Sequence, residues 1–296
     1  MEENLNELIK TDNATLGTFG KDKQPKAIKC KIVKPKPVFG TKEWADRNEN
    51  CLDGCSHDCK YCYAKATAVR FGHNTPQNWK NESLKPDILK KGFRKWEGKI
   101  MFPSAHDITP AHLDDCMAFL EHMLRPGNQV TIVTKPHLDC VKAICAEFPD
   151  YKDKILFRFT IGSSDSNTLK FWEPNAPDFA ERLESLKYAF TEGYQTSVSC
   201  EPMLDDNIGD VIDQVSLFVT DSVWLGKANQ LSTRLSLNGE KNPATIQKAT
   251  QLEQWQSDAN IKQLYSQYKD NPLIKWKDSI KKVVGLKVST EAGMDL

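Results

Sequence analysis

Short apolar runs alternate with longer stretches of helical periodicity through the middle of the chain. The apolar runs predict β-strands at 99–102, 129–134, 155–161, 195–200 and 223–225. Between them, apolar residues recur three or four positions apart, as in Leu113, Met117, Leu120 and Leu124, which is the spacing of one helix face. Strands that alternate with helices in this way predict a parallel sheet with right-handed crossovers.

A further strand just before Cys51 brings the number of predicted β-α steps between residues 45 and 230 to six. That number is too small for a complete eight-stranded barrel. The pattern therefore predicts an α/β fold, a partial (β/α)6 barrel of the TIM type, over residues 45–230.

The two ends of the chain differ from this middle region. Residues 1–44 are polar and form a predicted N-terminal extension, with one short strand at 27–33. Residues 231–296 contain two long polar helical segments, at 244–268 and 273–284, with no further strand pattern. We therefore expect a C-terminal helical cap that closes the open side of the barrel.

Composition limits the class of protein. The chain has 296 residues, of which 39% are hydrophobic, enough for a substantial core. It has no run of eighteen apolar residues, and its first residues lack the apolar region of a signal peptide, so we expect no membrane span. Nine cysteines, an odd number found mostly within periodic segments, favour the reducing cytoplasm.

Charge argues weakly against a nucleic-acid partner. Forty basic and forty acidic residues give a net charge of zero, whereas a duplex binder usually has a positive excess. The segments 21–36 and 275–287 are locally basic, and a solvated face explains both better than the alternative of a phosphate-binding patch. Nucleic acid remains a possible substrate that the net charge does not support.

Four cysteines lie within twelve residues: Cys51, Cys55, Cys59 and Cys62. The last three form a C-x3-C-x2-C run, and three thiolates on one loop can hold three irons of a 4Fe-4S cluster. Such a cluster leaves its fourth iron open to a small molecule, which favours catalysis over simple electron transfer.

The alternative is a structural zinc site made by these four cysteines, with His57 as a spare ligand. Structural zinc prefers two separated knuckles, whereas these cysteines are crowded into one loop. The spacing of Cys51 would permit ligation, but we interpret it as a packing thiol outside the ligand set. The three remaining cysteines, Cys55, Cys59 and Cys62, are the predicted metal ligands.

The run from Gly54 to Ala64, GCSHDCKYCYA, resembles the signature of the radical S-adenosylmethionine superfamily, and in particular its spore photoproduct lyase-like branch. The resemblance implies a partial (β/α)6 barrel, a 4Fe-4S cluster and S-adenosylmethionine. It also implies reductive cleavage to methionine and a 5′-deoxyadenosyl radical, which abstracts hydrogen from an unidentified substrate. A nucleobase or DNA lesion, a small metabolite and a peptide all remain open. The resemblance further implies a one-electron donor such as flavodoxin or ferredoxin.

Polar residues at the predicted strand ends are candidate cofactor-binding residues, because loops converge at the carboxyl ends of parallel strands. S-adenosylmethionine needs a cation for its carboxylate, an anion for its ammonium group and hydroxyl partners for its ribose. Lys135, Asp107 and Thr160 fit these roles, and Glu201 follows another strand. The resemblance places Tyr61 against the adenine.

The catalytic candidates are His106 and Cys200. In the photoproduct-lyase branch, a cysteine after the second strand donates hydrogen to the substrate radical, but the corresponding segment 104–107 has no cysteine. Repair of thymine photoproduct by that mechanism is therefore not expected. His106 follows the strand and can transfer a proton, and Cys200 ends another strand.

The other thiols, Cys116, Cys140 and Cys145, lie on predicted helices as packing residues. A function from another class is a non-catalytic iron-sulfur or zinc-binding module. The barrel-scale alternation argues against it, since small electron carriers need no such scaffold.

Overall fold

The computed structural model describes residues 36–294, so the strand predicted at 27–33 lies outside the described residues. The strands are β1 Arg47–Asn48, β2 Leu52–Asp53, β3 Ser83–Leu84, β4 Lys99–Phe102, β5 Gln129–Thr134, β6 Ile155–Thr160, β7 Gln195–Cys200, β8 Val223–Leu225 and β9 Ile274–Trp276. The helices are α1 Tyr63–Arg70, α2 Leu113–Leu124, α3 Leu138–Glu147, α4 Ser166–Trp172, α5 Phe179–Thr191, α6 Ile208–Val215, α7 Leu231–Leu237, α8 Pro243–Trp255, α9 Asp258–Tyr268 and α10 Asp278–Val284. Among these helices, none has the length and apolar content required to cross a membrane.

Seven parallel strands form one sheet in the order β1-β4-β5-β6-β7-β8-β9. Phe102 pairs with Ile132, for example, and Val133 with Arg158. Because parallel neighbours need a crossover, the intervening helices connect successive strands. Strands β1 and β9 lie at the two edges of the sheet within the described residues. The predicted α/β fold of partial TIM-barrel type is confirmed.

The two faces of the sheet bury different side chains, because successive residues of a strand point to opposite faces. In β6, Phe157 and Phe159 join the large apolar core. Arg158, between them, is fully buried on the other face, where its guanidinium lies 4.8 Å from the Trp44 ring and 5.5 Å from the Trp224 ring. The interior of the partial barrel therefore holds buried tryptophans and a buried charged group among apolar residues.

The C-terminal segment departs from the prediction. Residues 273–284 are not one helix: β9 pairs in parallel with β8, and α10 begins only at Asp278. The sheet therefore has a seventh strand that the apolar pattern did not predict. The helical segment expected at 244–268 is two helices, α8 and α9, which meet near Gln256.

The two edges of the sheet are bridged by side chains that flank them. Lys277 directly follows β9, and its ammonium lies 2.7 Å from Oε2 of Glu43, which precedes β1. The same ammonium donates to the carbonyl of Gly40 at 2.9 Å, and the backbone N–H of Asp278 donates to Glu43 Oε1 at 3.1 Å. Both charged side chains are almost completely buried, so this contact holds the opening of the barrel together.

Candidate active site at the carboxyl ends of the strands

A cavity of about 640 Å³ lies where the strands end. Its lining includes the cysteine loop and residues that follow five strands. The predicted site residues that line it are Cys55, Cys59, Tyr61, Cys62, His106, Asp107, Lys135, Thr160 and Glu201. One predicted residue, Cys200, does not line it. Parallel strands thus bring together side chains from 55 to 201 as expected from the topology.

The three predicted metal ligands share this cavity. The loop is anchored by the N–H of Cys55, which donates to the Trp79 carbonyl at 2.9 Å, and by that of Lys60, which donates to Trp172 at 2.9 Å. Cys62 caps α1, and its sulfur accepts the N–H of Lys65 at 3.4 Å. None of the three forms a disulfide.

Burial raises the pKa of each of the three thiols, Cys55, Cys59 and Cys62. They are therefore protonated without a metal, and binding one would release protons. Three unoxidised cysteines on one loop, two of them buried and Cys62 partly exposed, suit an iron-sulfur cluster. The donor set thus fits the group that the sequence predicts.

Cys51 faces away from this group. Its sulfur lies 3.7 Å from that of Cys116 and 3.8 Å from Nε2 of His106, and Cys51 does not line the cavity. Contact with Cys116, aided by His106 and opposed by burial, lowers the pKa of Cys51 to about 6. The interpretation of Cys51 as a packing thiol agrees with this placement.

Asp107 and Lys135 form a buried pair beside the cysteines. The carboxylate of Asp107 accepts the Thr134 hydroxyl at 2.8 Å and the N–H of Lys135 at 2.6 Å. Its other oxygen lies 3.5 Å from the Lys135 ammonium and 3.9 Å from the Cys55 sulfur. Burial opposes both charges, yet Lys135 and His57 hold the pKa of Asp107 well below its usual range. Burial lowers the pKa of Lys135, but the nearby Asp107 carboxylate more than offsets this and holds the pKa of Lys135 well above its usual range.

Two histidines extend this group toward the surface. Nδ1 of His57 lies 3.0 Å from Asp107 Oδ2, and its Nε2 lies 3.0 Å from Nε2 of His137. Nδ1 of His137 in turn lies 3.6 Å from Glu181. Ligand atoms of Cys55, His57 and Asp107 lie within 4.8 Å of one another, which is compact enough for a single metal ion. His57, the additional ligand of the zinc alternative, therefore lies near Cys55, one of the three predicted cluster ligands.

Tyr61 is fixed by a buried charged network. Its hydroxyl donates to Oε1 of Glu173, whose other oxygen lies 2.5 Å from the Arg182 guanidinium. Arg182 also donates to the carbonyl of Thr160 at 3.1 Å and to that of Pro177 at 2.8 Å. The network connects the cysteine loop to the end of β6, so it fixes two walls of the cavity relative to each other.

His106 lines the cavity, but both of its ring nitrogens have partners. Nε2 accepts the N–H of Cys51 at 3.2 Å, because that backbone group can only donate. Nδ1, 2.8 Å from the Asp107 carbonyl, then carries the proton and donates. Through these two contacts the ring connects the loop after β4 to the start of the cysteine segment.

The remaining two candidates lie on β7 and directly after it. Glu201 lines the cavity, and its Oε2 lies 3.3 Å from the Lys277 ammonium. Cys200 is fully buried in the apolar core, while Ser199 and Glu201 on either side line the cavity. Strand alternation explains the difference, and burial raises the pKa of the Cys200 thiol.

The C-terminal segment holds the cysteine loop from outside. The Asn238 amide, just after α7, donates to the carbonyl of Lys60 at 2.8 Å and to that of Cys62 at 3.0 Å. The Lys60 ammonium lies 3.5 Å from Glu240 and donates to Thr245 at 3.3 Å. Helices α1 and α7 therefore pack together beside the cysteine loop.

Sequence reasoning missed Glu173, Arg182 and Asn238. Glu173 contacts Tyr61 across 112 positions in the sequence, and Arg182 is linked to the loop only through Glu173. Asn238 contacts Lys60 and Cys62 across 178 and 176 positions. The available signal was chemical: an arginine within a helix whose other buried positions are mostly apolar requires an acidic partner.

Comparison with known proteins places this site in context. A family model described as the radical SAM superfamily matches residues 50–215, more than half of the 296 residues. An uncharacterised protein of Acidianus two-tailed virus is 29% identical over 170 residues, covering 53% of this chain and 56% of that protein. An uncharacterised protein of Methanocaldococcus jannaschii is 27% identical over 187 residues, covering 60% of this chain and 68% of that protein.

A solved structure has a similar fold. A variant of spore photoproduct lyase, with bound AdoMet and dinucleoside spore photoproduct, superposes with a TM-score of 0.51 at 14% identity. The match covers 72% of this chain and 66% of that one. The chain thus spans little more than half of the viral relative and just under two thirds of the solved lyase chain.

Proposed function

Since this chain belongs to the radical SAM superfamily, we propose that it is a radical SAM enzyme acting on a substrate held in the cavity at the strand ends. Members of this superfamily bind a 4Fe-4S cluster and S-adenosylmethionine. When bound, the two together supply a 5′-deoxyadenosyl radical, made by one-electron cleavage of S-adenosylmethionine, that abstracts hydrogen from the substrate.

The observation that carries this proposal is the meeting of two donor sets in one cavity. Cys55, Cys59 and Cys62 offer three sulfurs, and the Lys135–Asp107 pair offers opposite charges next to Cys55. A cluster on three cysteines leaves one iron for a further ligand, and a zwitterionic amino acid group needs both an anion and a cation.

The chain's own residues then have distinct roles in binding. Lys135 would hold the carboxylate of S-adenosylmethionine and Asp107 its ammonium group, while Thr160 and Glu201 would face the ribose side. Tyr61, fixed by Glu173, would present its ring to the adenine. His106 would position the loop after β4 and meet the substrate with its ring edge.

The substrate class remains a separate part of the proposal. A nucleobase or DNA lesion is the first candidate, supported by the likeness of fold to a lyase solved with a dinucleoside photoproduct. A small metabolite or a peptide is the second. A one-electron donor such as flavodoxin or ferredoxin would reduce the cluster, and the reaction would be a lyase reaction or another radical-based transformation.

A second function has one specific observation in its favour. Cys55, His57 and Asp107 bring sulfur, nitrogen and oxygen ligands within 4.8 Å of one another, a set that zinc accepts. A zinc-binding module would leave Cys59 and Cys62 without a metal, although both line the same cavity. The cluster uses all three cysteines and is the better explanation.

Anaerobic reconstitution with iron and sulfide tests the proposal. The reconstituted protein, reduced with dithionite and given S-adenosylmethionine, should form 5′-deoxyadenosine and methionine, measured by liquid chromatography with mass spectrometry. Zinc in stoichiometric amount and no iron in protein purified without oxygen would instead support the binding module.

A further inference from the structure

One wall of the cavity comes from helix α7 and the segment that precedes it. Asn229, Gln230 and Arg234 line it, with the Arg234 guanidinium on α7 placed 5.9 Å from the centre of the Tyr63 ring. Helix α7 is held beside α1 by Asn238, one turn beyond Arg234. Arg234 therefore has a fixed backbone next to the cluster loop.

The cations that line the cavity differ in their partners. Lys135 lies 3.5 Å from Asp107, Lys227 lies 3.6 Å from Asp258, and Lys282 lies 2.7 Å from Asp278. Arg234 alone among the cavity's lysines and arginines has no carboxylate within ion-pair distance in the part of the chain that the structure describes.

The guanidinium of Arg234 also lacks an internal hydrogen-bond acceptor among residues 36–294. The carboxylate with the largest effect on the pKa of Arg234 is that of Glu201, which already lies 3.3 Å from Lys277. Burial lowers the pKa of Arg234, and Glu201 opposes this only in part. A partly desolvated guanidinium without a hydrogen-bond acceptor is costly, and a bound anion would supply the missing acceptor.

We propose that Arg234 recognises an oxyanion of the substrate, a phosphate or a carboxylate. This inference deepens the proposed function, because it concerns the substrate of the same cavity. A guanidinium presents paired N–H donors that match the geometry of a phosphate or carboxylate. The amides of Asn229 and Gln230, on the same wall, add neutral donors.

The neighbouring aromatic ring favours a substrate that contains a flat group. Tyr63 is 42% exposed and lines the cavity, while its hydroxyl is fixed by donation to the Ser104 carbonyl. An exposed ring beside a guanidinium can stack a flat group whose charged substituent reaches the cation. A nucleotide has both features, so uridine 5′-monophosphate is a suitable probe, and uridine is its uncharged match.

Equilibrium dialysis of the anaerobically reconstituted protein, with S-adenosylmethionine bound and no reductant, measures this recognition without turnover. Uridine 5′-monophosphate should bind about tenfold or more tightly than uridine, because a charge-assisted pair is gained. Arg234→Gln should remove that difference, Arg234→Lys should restore part of it, and uridine itself should bind equally to all three proteins.

The matched control is Arg70→Gln. Arg70 is an exposed arginine whose guanidinium also lies 5.9 Å from an aromatic ring, that of Phe71, but it does not line the cavity. This variant should bind uridine 5′-monophosphate like the unmodified protein. Succinate forms a second arm: Arg234-dependent binding of succinate in place of the nucleotide would identify the oxyanion as a carboxylate.

Two results would overturn the inference. One is that binding of neither uridine 5′-monophosphate nor succinate depends on Arg234. The other is that Arg234→Gln weakens binding of S-adenosylmethionine rather than of the probes, which would assign Arg234 to the cosubstrate. Failure of the proposed function has a different signature: the unmodified protein then forms no 5′-deoxyadenosine, whatever its affinity for the probes.

Discussion

The carboxylate of Glu173 and the guanidinium of Arg182 form an ion pair at 2.5 Å with both side chains fully buried. The carboxylate also accepts the Tyr61 hydroxyl, so the cysteine loop depends on this pair for its position. Two buried charges are tolerated only when each keeps an oppositely charged partner. The pair is therefore a point at which stability and the geometry of the site are linked.

Glu173→Gln should destabilise the protein by about 3 kcal/mol, because it leaves a buried guanidinium without its carboxylate. Urea unfolding of the unmodified protein and the variant gives this difference. Glu121→Gln is the control, since the Glu121–Arg125 pair on α2 is exposed and should contribute at most about 0.5 kcal/mol. Equal effects of the two changes would contradict the structural role of the buried pair.

Alanine at Cys55, Cys59 or Cys62 should abolish the brown absorbance and the bound iron of reconstituted protein, because each supplies one of three ligands. Cys51→Ala should retain both, since the Cys51 sulfur contacts Cys116 and does not line the cavity. Iron and sulfide analysis with absorption spectroscopy measures the outcome. Loss of iron in Cys51→Ala would return Cys51 to the ligand set.

Lys135→Ala should weaken binding of S-adenosylmethionine roughly ten- to a hundred-fold, the usual cost of a lost charge-assisted hydrogen bond. Iron content should be unchanged, because Lys135 is not a metal ligand. Equilibrium dialysis of the reconstituted variant measures the affinity. Lys142→Ala, on the outer helix α3, is the control and should bind like the unmodified protein. Unchanged affinity in Lys135→Ala would show that Lys135 only pairs with Asp107.

We expect the free energy of unfolding to decrease in mild acid, in part because of His137. Burial, with a contribution from His57, lowers its pKa in the folded protein below the ordinary value of 6.5. Below that value the unfolded chain takes up a proton that the folded chain does not, so stability falls as pH decreases. His137→Gln should reduce this loss between pH 7.5 and pH 5.5, measured by urea unfolding at both. His73→Gln, an exposed histidine, should leave the loss unchanged.

The reduced, reconstituted protein should not repair spore photoproduct efficiently. The cavity segment 104–107 has no cysteine to return a hydrogen atom, and Cys200 is buried in the apolar core. Chromatography of a photoproduct dinucleotide after reaction would detect released thymine. Multiple turnovers of clean repair would contradict the prediction, whereas 5′-deoxyadenosine without thymine would support it.

The sequence predicted the fold well where strands are long and buried. Strand β6 is buried at all six positions and β5 at four of six, both are rich in β-branched and aromatic residues, and their boundaries were predicted to within one residue. Strand β8 is equally short but was predicted, because its three residues, Val, Trp and Leu, are all apolar. Strand β9 was missed because a lysine interrupts its three residues and polar helices surround it, so that only pairing with β8 defines it.

The site was predictable where chemistry is local in sequence. The cysteine run identifies its own loop, and strand ends predicted that Asp107 and Lys135 would lie at the same edge of the sheet, where the structure pairs them. The contact of Asn238 with Cys62 had no such signal, because it joins residues 176 positions apart through one amide. The orientation of Cys200 depends on strand register, and neighbours on either side of it do line the cavity.

The contact between Asn238 and the loop carbonyls has a consequence for the order of maturation. During synthesis the cysteines emerge long before residue 238, so the loop exists for a time without its outer support. Metal inserted then would meet a mobile set of thiols, whereas the assembled chain presents them in one orientation. Correct loading of the cofactor should therefore follow completion of the chain, and a nascent polypeptide stalled before α7 should be a poor acceptor for iron.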